Sequence, residues 1–435
     1  MTPLVIGSIG ILALFALLAL RVPIGISLGA VSLVGIWAVR GVDAMFGVAR
    51  SMPYDFIAKW ELSAIPMFLL MGSIAFYSGM TRGLFSAMRL WLSGLPGGLA
   101  VATNFACAGF AAVSGSSMAT AASMGKLAIP EMLRFRYDAG LATGVVAAAG
   151  TLGSLIPPSI LLIIFGMMSE TSISKLFIAG ILPGLLTAAV YAVMIVGRCM
   201  INPALSPPME ETITWKQRID ALLSIWQLPV LIVAVTYSLY SGLATTTEAA
   251  AVGALAAIIM AAANRTLTRQ MISDSVVETV RSTAMILFIA LGAIFFSRFL
   301  TFCGMPQFMA GLAKGLAFDP LLMMLFVAVV YLILGCFLDP LGLMLLTVPI
   351  FLPFFEALGI DKVWMGIMVV KFIEIGLITP PVGLNAFVVK GIVGDTIKLG
   401  TIFKGLIWFM LAELVVVVLL TVFPDIVMVL PNQMD

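Results

Sequence analysis

The chain has 435 residues, of which 62% are hydrophobic and only 10% are charged. Soluble domains carry about 25% charged residues and cannot hide this much apolar surface in one aqueous core. A soluble enzyme, a disordered scaffold and a secreted disulfide module are therefore excluded. Twenty-three Lys and Arg against twenty-one Asp and Glu leave a net charge of +2, which offers no case for nucleic acid. The composition is that of a polytopic membrane protein. With no histidine, a Ser-His dyad, a His proton relay and an imidazole metal site are impossible. The four cysteines, Cys107, Cys199, Cys303 and Cys336, lie far apart in apolar stretches and read as small core residues.

Apolar windows of spanning length follow one another along the chain. Thr2 to Leu20 lacks a basic leader and another span follows at once, so it reads as a retained first crossing. Spans are expected at 3–20, 24–40, 62–81, 139–169 and 176–198, then at 221–241, 246–263, 283–303, 363–392 and 404–423. The stretches 97–133 and 320–355 are also apolar but are interrupted, by Ser114-Gly115-Ser116-Ser117 in one and by Gly335 to Pro340 in the other. Irregular backbone at membrane depth is tolerated only where protein or a polar cavity covers it. Both stretches therefore read as re-entrant helical hairpins. Residues 41–60 and 264–282 mix charged and apolar positions, as interfacial amphipathic helices do.

A repeat runs through this pattern. Gly153-Ser-Leu-Ile-Pro157-Pro158 matches Gly376-Leu-Ile-Thr-Pro380-Pro381, 223 residues later. The same spacing relates Pro130 to Pro353, Asp138 to Asp361 and Lys175 to Lys398, and superposes the two hairpins. The chain divides into a first repeat (1–200), a linker (201–220) and a second repeat (221–435), each with five crossings and one hairpin. Five is odd, so the second half enters from the opposite side. Inverted repeats of this kind are a mark of secondary transporters. With the N-terminus outside, 14 of the 23 basic residues fall on the cytoplasmic side and 6 outside, the remaining 3 lying within membrane segments. Both termini are thus expected to be extracytoplasmic.

Each Gly-x-x-x-Pro-Pro break removes two backbone donors, freeing the carbonyls of Gly153 and Ser154, and of Gly376 and Leu377. Unpartnered carbonyls in hydrocarbon cost several kcal/mol, and a hard monovalent cation such as Na⁺ is suited to such oxygens. The alternative is a plain proline kink satisfied by a neighbouring helix. At the first hairpin tip, hydroxyls and the positive end of a helix starting near Ser117 could receive an anionic group. At the second, Asp339 reads as an N-cap with Pro340 at the first helical position. Lys371 and Glu374, one turn apart, read as an internal ion pair, with Lys371 as counter-charge to a substrate carboxylate the sharper alternative. Glu248 in Thr245-Thr246-Thr247-Glu248 reads as a capping cluster.

The segments Ser114-Gly-Ser-Ser-Met-Ala-Thr120, Ala148-Ala-Gly-Thr-Leu-Gly-Ser-Leu-Ile-Pro-Pro-Ser159, Phe337-Leu-Asp-Pro340 and Gly376-Leu-Ile-Thr-Pro-Pro-Val-Gly-Leu-Asn385 resemble the large membrane subunit of tripartite ATP-independent periplasmic (TRAP) transporters. The resemblance extends over essentially the whole chain. It implies an all-α elevator-type fold of the ion-transporter superfamily with an inverted-topology repeat, two re-entrant hairpins and two broken helices. The moving transport domain would comprise about 97–169 and 320–392, with the remainder as scaffold and arms. It also implies a bacterial inner-membrane location, Na⁺ as coupling ion, a periplasmic substrate-binding protein, and a small four-helix membrane subunit, expected as a separate chain in a lipid bilayer.

By the same resemblance, a first sodium site would use Ser114, Ser117, Gly153, Ile156 and Pro158, and a second Gly335, Gly376, Thr379 and Val382. Substrate contacts would come from Ser116, Thr120, Ser154, Asp339, Pro157, Pro380 and Lys371. Lys126 and Lys371, where such subunits usually have small or amide residues, and Ser73, where they often have Asn, bear on which substrate is carried. The expected function is Na⁺-coupled uptake of a small organic acid, with no enzymatic activity. Moving one net positive charge inward supplies ~2.3 kcal/mol per 100 mV, and a hundredfold solute gradient costs about 2.7 kcal/mol. The alternatives are a stand-alone Na⁺/carboxylate symporter and, remotely, an intramembrane hydrolase. The latter would need Lys126 as base, nine residues from Ser117 and about two and a half turns away.

Overall fold

A computed structural model describes residues 2–207, 213–315 and 320–434, all helix and connecting turn, with no strand among them. The centre of the linker expected at 201–220 lies outside the described residues, as do the side chains of Arg82 and Lys314 that entered the charge count. Six helices among the described residues are long and apolar enough to cross a membrane alone, seven counting one bent pair. The other expected crossings are built from shorter pieces, because proline and glycine interrupt them.

Helix ends recur 223 residues apart with shifts of only a few residues. Pro3–Ala19 and Ile24–Arg40 answer to Gln227–Tyr240 and Thr246–Ala263. Arg82–Leu92 answers to Met305–Gly315, and Ile173–Ile201 to Leu399–Val422. The first hairpin, Gly98–Ser114 with Ser117–Arg134, answers to Pro320–Gly335 with Pro340–Ala357. The broken helices, Ala139–Gly150 with Ile160–Ser169, and Lys362–Gly376 with Leu384–Val393, correspond as well.

Two elements differ from the windows drawn on the sequence. The interfacial segment 264–282 and the span 283–303 are not separate: they form one 34-residue helix, Arg269–Phe302, about 51 Å long. No Pro or Gly lies between Arg269 and Leu291 to interrupt it. In the first half the corresponding stretch stays divided into Val42–Ile57, a 3-10 turn at Trp60–Ser63 and Ala64–Tyr77. The span expected at 221–241 is split into Trp215–Ser224 and Gln227–Tyr240, bent by 53°. Pro229 has no N–H for the carbonyl of Ile225, so the helix cannot run through.

The hairpins and broken helices form the inner mass, and Ile173–Ile201 and Leu399–Val422 are packed onto it. Asn104 of the first hairpin donates to the Ala188 carbonyl at 2.8 Å, and Trp364 Nε1 to the Leu420 carbonyl at 3.0 Å. Asn385 likewise donates to Ala147 at 3.1 Å, tying the two broken helices together. Helix 399–422 crosses helix 139–150 at glycines: a methyl group added at Gly405 would stand 1.9 Å from the Gly140 carbonyl oxygen. Small residues let backbones approach this closely in apolar surroundings. Gly405→Val is expected to destabilise the protein by about 1–3 kcal/mol or more, read as a lowered thermal unfolding midpoint, whereas Gly400→Ala, with open space around it, should change little.

Candidate functional site

The site grows from the two helix breaks. After Gly150 the first broken helix tightens into a 3-10 turn, Thr151–Ser154, and then runs without helix through Pro157 and Pro158, joined by a cis peptide bond. Ser159 restarts it as N-cap, its hydroxyl accepting from Leu162 N–H at 3.3 Å. The second helix stops at Gly376, passes the cis bond Pro380–Pro381, and resumes at Leu384 after Gly383, whose φ is +60°.

The freed carbonyls are fewer than the spacing suggests. Ser159 Oγ donates to the Ser154 carbonyl, Thr379 N–H to Gly376 at 3.1 Å, and Asn385 N–H to Leu377 at 3.0 Å. The turns after each break fold back and supply local donors. Among the described residues only Gly153 of the four expected carbonyls stays bare, joined by the carbonyl of Gly335 at the second hairpin tip.

Each hairpin tip sits on the break of its own half. A Cβ on Gly153 would stand 2.5 Å from the Ser116 carbonyl oxygen and 2.7 Å from Thr120 Oγ1, and one on Gly115 would stand 2.7 Å from the Pro158 oxygen. Ile160 N–H donates to the Gly115 carbonyl at 3.4 Å. In the second half, Gly376 and Gly335 meet backbone to backbone, each leaving no room for a Cβ on the other. Cys336 Sγ donates to the Pro380 carbonyl at 3.3 Å.

Around the first contact the hydroxyls converge. Ser114 Oγ lies 2.8 Å from Thr120 Oγ1, Thr120 Oγ1 donates to the Ser116 carbonyl at 2.8 Å, and Ser154 Oγ donates to Ser117 Oγ at 3.2 Å. Ser116 caps the second limb, accepting from Ala119 N–H at 3.4 Å. The N–H groups of Ser117 and Met118 have no partner among the described residues, as expected for the first turn of a helix. Ser114, Ser116, Ser117, Thr120, Gly153, Ser154 and Pro158 are thus brought together, while the Ile156 side chain points away onto Gly184. Asp339 spends its carboxylate as an N-cap, accepting from Gly342 N–H at 3.0 Å. Thr379 donates to Ile375 at 2.7 Å, Val382 is half-buried and Pro380 exposed.

A cavity of about 260 Å³ opens beside the first tip. Ser114, Ser116 and Ala119 form one wall, Gly72, Ser73 and Phe76 another, and Glu278, Ser282 and Met285 of the long helix a third, with Leu341 of the second hairpin. Of these, the sequence pointed to Ser114 and Ser116, and to Ser73 only through the resemblance. Glu278 and Ser282 carry no local motif and enter through the fold.

The expected Lys371–Glu374 pair is not formed. Lys371, 1% exposed, turns to Glu413 on helix 399–422, with Nζ to Oε2 at 2.5 Å, and donates to Thr187 Oγ1 at 3.2 Å. Tyr191 completes the group by hydrogen bonding Glu413 Oε1. A partner three residues away on the same helix loses to one reached across a helix contact, because a buried ammonium gains most where several oxygens meet it. The Lys371 ammonium is therefore directed to this group, away from the cavity. Glu374, also 1% exposed, lies beside the Ser117 and Ser154 hydroxyls.

The profile of the tripartite ATP-independent periplasmic transporter DctM component matches residues 11–426. This chain belongs to that family. It is 39% identical to the C4-dicarboxylate TRAP transporter large permease protein DctM of Pseudomonas aeruginosa, over 86% of each chain. It is 32% identical to the sialic acid TRAP transporter large permease protein SiaM of Vibrio cholerae, over 96% of each. A third relative, the isethionate TRAP transporter permease protein DctMQ of Oleidesulfovibrio alaskensis, is 34% identical over 94% of this chain and 64% of that longer one. Among solved structures, the Alcanivorax borkumensis YdaH transporter superposes with a TM-score of 0.70 at 14% identity, covering 98% of both chains, which shows a shared fold. These relatives are transporter permeases rather than enzymes, and the chain is a multi-pass membrane protein of the same kind.

Removing Lys371 should strand Glu413 in the DctM-family core. Lys371→Met is expected to cost about 3–5 kcal/mol in thermal unfolding, and the double change Lys371→Met with Glu413→Leu should recover most of the loss.

Proposed function

We propose that this permease carries a small organic anion inward together with Na⁺, by moving its hairpin-bearing unit across the membrane past a static frame. The observation that carries this reading is the mirrored seating of each hairpin tip on its broken helix, Ser116 over Gly153 and Gly335 against Gly376. Discontinuous helices related by an inverted repeat are where secondary transporters hold substrate and coupling ion. The oxygens fit the ion: the bare Gly153 carbonyl with the Ser114 and Ser117 hydroxyls at one break, and the bare Gly335 carbonyl with the Gly376 oxygen and Thr379 hydroxyl at the other. Carbonyl and hydroxyl oxygens of this kind are donors a hard cation accepts without a full negative charge.

Helices 173–201 and 399–422 would travel with the hairpins. The Lys371–Glu413 pair and the Asn104–Ala188 bond tie them to 97–169 and 320–392, which extends the moving unit beyond those two stretches. The static frame would contain helices 24–40, 64–77, 246–263 and 269–302. In a bacterial inner membrane with both termini periplasmic, the cavity at Ser114 reaches Tyr77 and Glu278 on the cytoplasmic side, so this conformation faces inward. The names of the relatives support a carboxylate, sulfonate or sialic acid as substrate. The tripartite, periplasmic character in those names also supports delivery by a periplasmic binding protein and association with a small membrane subunit.

Two experiments test the reading. Reconstituted with the small subunit and binding protein, the permease should take up one of succinate, isethionate or sialic acid with Na⁺ outside, and lose that uptake when K⁺ replaces Na⁺. Uptake indifferent to the cation would remove the coupling ion, and uptake indifferent to the binding protein would favour the stand-alone symporter. Paired cysteines test the motion: Ala119→Cys should cross-link to Met285→Cys in the inward form and to Ile294→Cys, about 14 Å further along the long helix, in the outward form. Failure of the second link in transport-competent vesicles would rule out the sliding movement.

A further inference from the structure

A second cavity, of about 220 Å³, lies on the same helix contact as the first. The first is walled by Ile160, Leu341 and Ile286, and the second by Ile164, Leu345 and Ile294, one to two turns further along each of the same three helices. The two cavities are successive stations on one track between the long helix and the hairpin-bearing unit. Arg298 of the long helix and Lys59, at the break before Trp60–Ser63, line the second cavity. No acidic residue lines it, and neither cation forms an ion pair among the described residues. Arg40 and Arg298 share the Phe302 ring, their guanidinium carbons 5.5 and 5.7 Å from its centre, which adds a third positive charge nearby.

We infer that the cavity walled by Lys59 and Arg298 is an anion station on the static side of the path, which takes the carboxylate or sulfonate of the transported solute before the hairpin tip carries it down. From Ile286 to Arg298 the long helix rises about 18 Å. A shift of the hairpin unit over that distance would bring Ser116 and the free N–H groups of Ser117 and Met118 opposite the two cations. The anion would then be held between a static pair of charges and a moving helix end. The inner cavity has the opposite character on its static wall, where Glu278 replaces the cations. An anion is attracted at the upper station and repelled at the lower one, which favours capture outside and release inside. Two charges facing an apolar-walled cleft also concentrate anions before they bind.

The inference rests on the sliding movement proposed above and is tested apart from it. The permease with its small subunit is placed in nanodiscs of phosphatidylcholine alone, and binding of succinate, isethionate and sialic acid is measured by calorimetry in NaCl. At least one probe should bind the wild type. Lys59→Gln and Arg298→Gln should each weaken that probe about tenfold or more, the loss expected for one charge-assisted contact, while Lys59→Arg binds as wild type and the Na⁺-induced thermal shift is unchanged in all variants. No binding by any probe, or binding that neither Gln variant weakens, would overturn the station. So would variants that lose only phosphatidylglycerol, added in a parallel arm, since the cavity would then hold a lipid headgroup. Loss of anion binding in the variants without the Ala119–Ile294 cross-link would instead sink the movement and leave the station standing.

Discussion

A backbone oxygen removed from water must meet a donor or a cation, and the architecture of this permease is organised around that demand. The double prolines cut two helices at mid-length, and the chain then repairs most of the damage within a few residues. Ser159, Thr379 and Asn385 each return a donor to an oxygen the prolines had stranded. Among the described residues the Gly153 and Gly335 carbonyls, at the first break and the second hairpin tip, keep no donor, as do those of Ile156, Pro157 and Pro158 within the first break.

Glycine makes that arrangement physically possible. At Gly153, Gly115, Gly335 and Gly376 the neighbouring backbone lies where a Cβ would otherwise stand. The tips can therefore rest directly on the breaks, backbone against backbone. Proline supplies the gap in the hydrogen-bond ladder, and glycine supplies the room for the second element that closes over it.

The buried Lys371–Glu413–Tyr191 group plays a different part. It joins a broken helix to the long helices packed outside it, fully buried. An ion pair at such depth contributes little net stability against a hydrophobic replacement, but its loss on one side is costly. It therefore pins these helices in register, and it keeps a positive charge away from the hydroxyl cluster at the tip.

Much of the molecule was legible in the linear order of residues. Composition alone determined that the chain lives in a membrane. The 223-residue recurrence of rare prolines, glycines and aspartates paired the two interrupted stretches and the two breaks, and local motifs gave the caps at Asp339 and Thr245, because capping and helix breaking are local effects of one to four residues. What the sequence could not determine is which polar groups meet across helices. Lys371 had a carboxylate three residues away and took another forty-two residues on, and three of four freed carbonyls found donors in turns whose path depends on packing. The fusion of 264–282 with the following span, and the two cavities strung along it, likewise follow from how helices lie against one another. Periodicity reports the face a helix turns inward, but only the folded chain decides what stands on the other side.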